Sequence, residues 1–192
     1  MKLLPDLIKA LPAGWEVGIH YNYDTFLDED RFRKQLNQLQ TIISQRIVSG
    51  RAHYLRFDTK QSFRFLEKFG ILVDESVGFF DRIGYRCGVA GCFNPYDPDR
   101  NAGHSICEIP MHVMDTALKE QCYKESMKKF DVLLSHIKNV GGALSIVFHP
   151  DTFHNPEFSN MIGLYNRILK SAYWMGAKTE KARILATRFC AN

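Results

Sequence analysis

Residues 15–24 read Trp-Glu-Val-Gly-Ile-His-Tyr-Asn-Tyr-Asp. Val17 to His20 is a short apolar stretch that turns polar at its end, the pattern of a buried strand arriving at a loop. Asp28 then starts a helix on which Phe32, Leu36, Leu39 and Ile43 share one face. Residues 51–57 are a second strand. Asp58 or Thr59 caps a helix through Phe63, Leu66 and Phe69, and Gly70 closes it. Residues 71–77 are a third strand. Strand and helix alternate, which predicts an α/β domain.

The same reading extends outward. Residues 3–11 resemble a helix end, closed by Pro12 and Gly14. Residues 78–105 hold five glycines, two prolines and many aromatics, and read as a functional loop system. Residues 106–113 are a further strand. Gln121 to Val140 is a helix with Phe130, Leu133, Leu134 and Ile137 inward, ended by Gly141-Gly142. Residues 143–148 form an apolar strand that ends at His149, and Pro156 to Trp174 is a helix. Residues 1–175 thus make one domain, and residues 176–192 a basic tail.

Composition bounds the function. The 192 residues are 45% hydrophobic and 24% charged, which suits one soluble globular domain with a sizeable core. Net charge is +4, with the basic residues dispersed, so nucleic acid is not an expected partner. No run approaches the roughly 18 apolar residues a membrane helix needs, and Asp6 and Lys9 interrupt any leader-like stretch. No membrane association and a cytoplasmic location are expected. The five cysteines are irregularly spaced, which predicts buried free thiols rather than a disulfide framework.

Chemistry concentrates where strands give way to loops, the rim used by β/α barrels. His20 closes the first strand, with Asp24 four residues on. An imidazole there is a candidate zinc ligand, or an ordinary hydrogen-bonded residue. On a strand, Arg51 and His53 project to one face and need a carboxylate or a metal as partner, unless the strand is an edge in water. His149 ends an apolar strand and can serve as a general acid, or be a plain loop residue. Asp115 can orient a histidine or bind substrate, or cap the following turn. His104 and His136 read as loop and helix-surface residues.

Taken in order, several segments resemble the polysaccharide deacetylases, carbohydrate esterase family 4, in a bacterial branch. They are Gly18-Ile-His-Tyr-Asn-Tyr, Gly50-Arg-Ala-His-Tyr-Leu-Arg-Phe, Gly70-Ile-Leu-Val-Asp-Glu-Ser-Val-Gly-Phe, Gly84-Tyr-Arg-Cys-Gly, Glu108-Ile-Pro-Met-His-Val-Met-Asp-Thr-Ala-Leu and Phe148-His149. The resemblance runs from about Trp15 to Leu169. It implies an incomplete, deformed (β/α) barrel and a divalent-metal hydrolase, usually zinc, acting on the carbon–nitrogen bond of an acetylated amino sugar or polysaccharide. By resemblance His20 is a metal ligand, His149 the general acid, and Arg51 the arginine that holds the catalytic aspartate. Tyr54 lines the substrate groove, with Asp74, Arg86 and Asp115 in support.

The sequence departs from that pattern in two places. The opening acidic motif, expected upstream of residue 15, is missing, so the chain reads as the C-terminal two thirds of the domain. Asp24 stands where a second histidine is usual, which leaves His53 as the compensating metal ligand. Two alternatives accompany the enzyme reading. One is a non-catalytic carbohydrate-binding protein whose aromatics in 78–96 stack on sugars; the other is a structural remnant with an exposed sheet edge. Oligomeric state is left open.

Overall fold

A computed structural model describes residues 3–12, 15–119, 123–154 and 160–190. Gly14, Gln121, Cys122 and Pro156, invoked above, lie outside them. The chain divides into two compact units. The first holds residues up to Ser76, residues 93–109 and residues from Glu180 on. The second holds residues 77–92 and 110–179.

In the first unit, helix α1 (Leu3–Lys9) precedes strand β1 (Ile19–Tyr21), helix α2 (Glu29–Ile43), strand β2 (Ser49–Ala52), helix α3 (Ser62–Lys68) and strand β3 (Val73–Asp74). A hairpin of β4 (Tyr96–Asp97) and β5 (Ala102–Gly103) leads to β6 (Cys107–Glu108). Strands β1, β2, β3 and β6 form one open, all-parallel sheet in that order. The Asp28 carboxylate accepts from the Arg31 N–H at 3.0 Å and so caps α2. Asp58 accepts from the Lys60 and Gln61 N–H groups ahead of α3. Gly70, at φ 69°, ends α3 in a conformation that a side chain disfavours.

Phe32 is the hub of this unit and is fully buried. The rings of Tyr21 and Phe65 meet it edge-on, with centroids at 5.4 and 5.2 Å, and Phe69 lies tilted at 4.8 Å. The hairpin is held on α3 by charge. Buried Asp97 accepts from Arg64 at 2.7 Å and Arg100 at 2.5 Å, and Arg100 also reaches Glu67 at 2.8 Å. His104 is a loop residue, as expected. It is buried, with Nδ1 3.0 Å from Glu67.

In the second unit, strand β7 (Met111–Met114) leads to helix α4 (Asp115–Lys119) and helix α5 (Tyr123–Val140). Strand β8 (Ser145–Val147) and helix α6 (Met161–Trp174) follow. β7 and β8 pair in parallel, and Phe130, Leu134, Met161, Leu164 and Ile168 pack around Val113.

Five expectations change. Residues 106–113 are two strands, not one. Pro110 has no N–H for the ladder, so β6 ends against β3 while β7 starts afresh against β8. The strand expected over 51–57 stops at Ala52 and turns into one 3-10 turn, His53–Leu55. The expected tail contains helix α7 (Ala182–Phe189), which packs against β3. Its end carries Cys190, disulfide-bonded to Cys107 at a Cα separation of 6.0 Å. The thiol expectation failed because sequence spacing does not show an 83-residue return of the chain. The strands form an open four-stranded sheet, the β4–β5 hairpin and the β7–β8 pair, and no closed barrel is formed among the described residues.

Phe32→Ala removes the ring that three aromatics enclose. The expected loss is about 3–5 kcal/mol of unfolding free energy, read by urea titration; a loss under about 1 kcal/mol would show that Phe32 is not the hub.

Candidate functional site

In the first unit, register places His20 opposite Arg51 at the carboxyl end of the sheet. His20 Nδ1 donates to the Arg51 carbonyl oxygen at 3.1 Å, which puts the proton on Nδ1 and the lone pair on Nε2. The His53 ring lies edge-on to His20, with centroids 4.9 Å apart. Strand alternation does not bring it there, because His53 lies past the strand in the 3-10 turn. Within that turn Tyr54 and Leu55 have φ of 56° and 50°, a left-handed conformation that costs free energy for residues with a Cβ. The result is a Tyr54 ring 78% exposed, edge-on to exposed Tyr23 at 6.1 Å. Arg56 sits over Tyr23 at 4.2 Å. Arg51 donates to the Glu75 carbonyl at 2.9 Å and to its carboxylate at 2.5 Å.

Beneath this edge lie two fully buried acids. Asp74 and Glu108 are register partners on β3 and β6, and their side chains are hydrogen-bonded. Such a bond between carboxyl groups needs one shared proton. Asp74 also accepts from Tyr21 Oη at 3.2 Å, Ser76 Oγ at 3.0 Å and the Ser76 N–H at 2.8 Å. Burial pushes the Asp74 carboxyl up to about 6, against these bonds. Burial, helped by the Asp74 charge, also raises Tyr21 well above a free phenol. Glu108 was not among the expected site residues. Its signal was an acid bordered by Ile106, Cys107 and Ile109 in an otherwise apolar run.

The second unit holds a different arrangement. Asp115, fully buried at the start of α4, accepts from the His149 backbone N–H at 2.8 Å and from His149 Nδ1 at 2.9 Å. The pairing of Met114 with Val147 brings the two residues together just past the strand ends. The His149 side chain is 41% exposed. Asp115 thus fixes the tautomer and leaves the Nε2 lone pair for chemistry. Arg86 donates to the Gly78 carbonyl at 2.9 Å and braces the loop. His112 is buried, accepts from the Ser145 N–H at 3.3 Å and is pushed down to about 4 by burial. A groove along α5, lined by Lys124, Lys128, His136 and Arg167, includes none of the expected residues.

The expected residues therefore fall into two groups. His20, Arg51, His53, Tyr54 and Asp74 belong to the first unit; Arg86, Asp115 and His149 belong to the second. Catalytic zinc takes three protein ligands. His20 and His53 offer two imidazoles, and no group of three or more His, Cys, Asp or Glu able to hold a metal is found among the described residues. On that count, the described residues do not make up a zinc site.

Comparison with solved structures finds the crystal structure of a "putative polysaccharide deacetylase from Mycobacterium smegmatis". The TM-score is 0.63 at 16% identity, over 96% of this chain and 68% of that one. The chain therefore has the α/β fold of that protein, with a parallel sheet and flanking helices. No protein-family model and no curated protein matches the chain. Among the described residues, no helix is long and apolar enough to cross a membrane.

Asp74 gives a signed pH dependence. Unfolded, it ionises near pH 3.9; folded, at about 6. The folded state keeps a proton the unfolded state has lost, so this stabilisation is complete below about pH 4 and is lost as pH rises through about 6. Neutral, buried His112 acts with the opposite sign, so the informative quantity is a difference. Wild type should lose roughly 1–3 kcal/mol relative to Asp74→Asn between pH 4 and 7 in urea titrations. A flat difference would show that Asp74 ionises normally.

Proposed function

We propose that the chain is a deacetylase-like hydrolase that cleaves the amide of an N-acetylated amino sugar. The observation that carries this reading is the imidazole of His149, held by buried Asp115 at the ends of two parallel strands. The shared fold supports it. In the reaction, water adds to the acetamide carbonyl carbon. The carbon–nitrogen bond then breaks, its electron pair staying on nitrogen. His149 supplies the proton that makes the leaving group a neutral amine. Asp115 is the positioning residue, which keeps Nδ1 protonated and stabilises the imidazolium on either side of the transfer.

Hydrolysis of acetylated chitooligosaccharides, read as free amine, tests this. His149→Ala should lower kcat by about 100-fold or more, with KM little changed. Asp115→Asn should lower kcat and alter its pH profile. Activity equal to wild type in His149→Ala would refute the assignment.

A second reading is carbohydrate binding without turnover. The exposed Tyr23–Tyr54 corner favours it, because a strained turn presents an apolar ring to solvent. Sugar faces stack on such rings. The two readings separate cleanly. Tyr54→Ala weakens glycan binding under the second reading, whereas Asp115→Asn matters only to the hydrolase. Wild-type protein that binds glycans and releases no amine would favour the second.

The divalent-metal expectation rests on His20 and His53. Two imidazoles hold zinc weakly. The expected result is zinc taken up at substoichiometric levels, removed by dialysis, and lost in either His20→Ala or His53→Ala by elemental analysis. Unchanged zinc in His53→Ala would detach His53 from the ion.

A further inference from the structure

Helix α7 holds to the first unit by its two ends. At its start, the Arg183 N–H donates to Glu16 Oε2 at 3.2 Å, and Glu16 Oε1 accepts from Ser49 Oγ on β2 at 2.7 Å. At its far end, Cys190 is bonded to Cys107 on β6. Ser49, Val73 and Cys107 are successive register partners on β2, β3 and β6, so they form one row on one face of the sheet. Arg183 to Cys190 spans about 10 Å as a helix. Two strand spacings also span about 10 Å. The helix therefore crosses the row from β2 to β6, and it packs on β3 between them.

No residue of α7 is buried, and Ile184 and Phe189 are 40% and 39% exposed. The Arg183–Glu16 ion pair is long, at 3.9 Å, and its Arg183 side chain is half exposed. An eight-residue helix is not stable alone in water.

We propose that the Cys107–Cys190 bond is a redox latch that holds α7 across the sheet, and that reduction releases the helix. The reductant is a small dithiol or a dithiol protein. Its thiolate attacks Cys190, the more exposed sulfur, since Cys107 is buried. The reductant's second thiol then resolves the mixed disulfide. Two electrons and two protons pass to the protein, Cys107 and Cys190 become thiols, and the reductant becomes a disulfide. Release uncovers the row Ser49–Val73–Cys107, on the strands whose ends bear Arg51, Asp74 and Glu108. The latch is independent of the proposed hydrolysis.

Limited trypsin digestion of the purified full-length chain, oxidised and after dithiothreitol, tests it. Mass spectrometry follows cleavage after Arg183 and Arg188. Reduction should make Cys107 and Cys190 alkylatable and speed these cleavages at least tenfold. Cys190→Ser should cleave fast without reductant, whereas Cys87→Ser should behave as wild type. Alkylation of Cys107 and Cys190 already before reduction would overturn the proposal, as would equal cleavage rates. So would loss of most of the helical circular dichroism on reduction, because the bond would then staple the whole unit rather than latch one helix.

Discussion

Two carboxyl groups lie side by side, away from water, at the ends of β3 and β6, and the first unit is arranged around that constraint. Burying a charge without partners costs several kcal/mol, so the pair must share a proton and recruit donors. Tyr21 from β1 and Ser76 from beyond β3 supply them, and Ser76 Oγ also accepts from the Ala52 N–H on β2. One polar network therefore ties the ends of all four parallel strands. It fixes where β1 and β2 stop, and so where His20, Arg51 and His53 emerge.

The second unit solves a related problem with one acid. Asp115 is as deeply buried as Asp74, yet two donors from a single residue satisfy it. A buried carboxylate paired with a half-exposed imidazole is suited to proton transfer, because the acid fixes orientation while the ring still meets solvent. A buried acid pair with no exposed member has no such outlet. That difference is why the proposed proton transfer is assigned to His149 and not to Asp74.

The fold shared with a protein described as a "putative polysaccharide deacetylase" is compatible with many chemistries, since function resides in sites rather than in architecture. The features that narrow the choice here are local. They are a carboxylate-held imidazole, two adjacent imidazoles, and an aromatic corner kept exposed by left-handed backbone.

The sequence by itself determined the alternation of strand and helix, the Asp28 cap, the glycine stop at Gly70 and the apolar face of α2. Each follows from short-range spacing and backbone sterics, which neighbouring residues carry with them. It also marked the polar residues at strand ends. Only the tertiary structure decided their partners: Glu75 for Arg51, Glu108 for Asp74, Asp115 for His149 and Cys190 for Cys107. Those pairings join residues 24 to 83 positions apart, and register and burial select them through distances that no local pattern encodes.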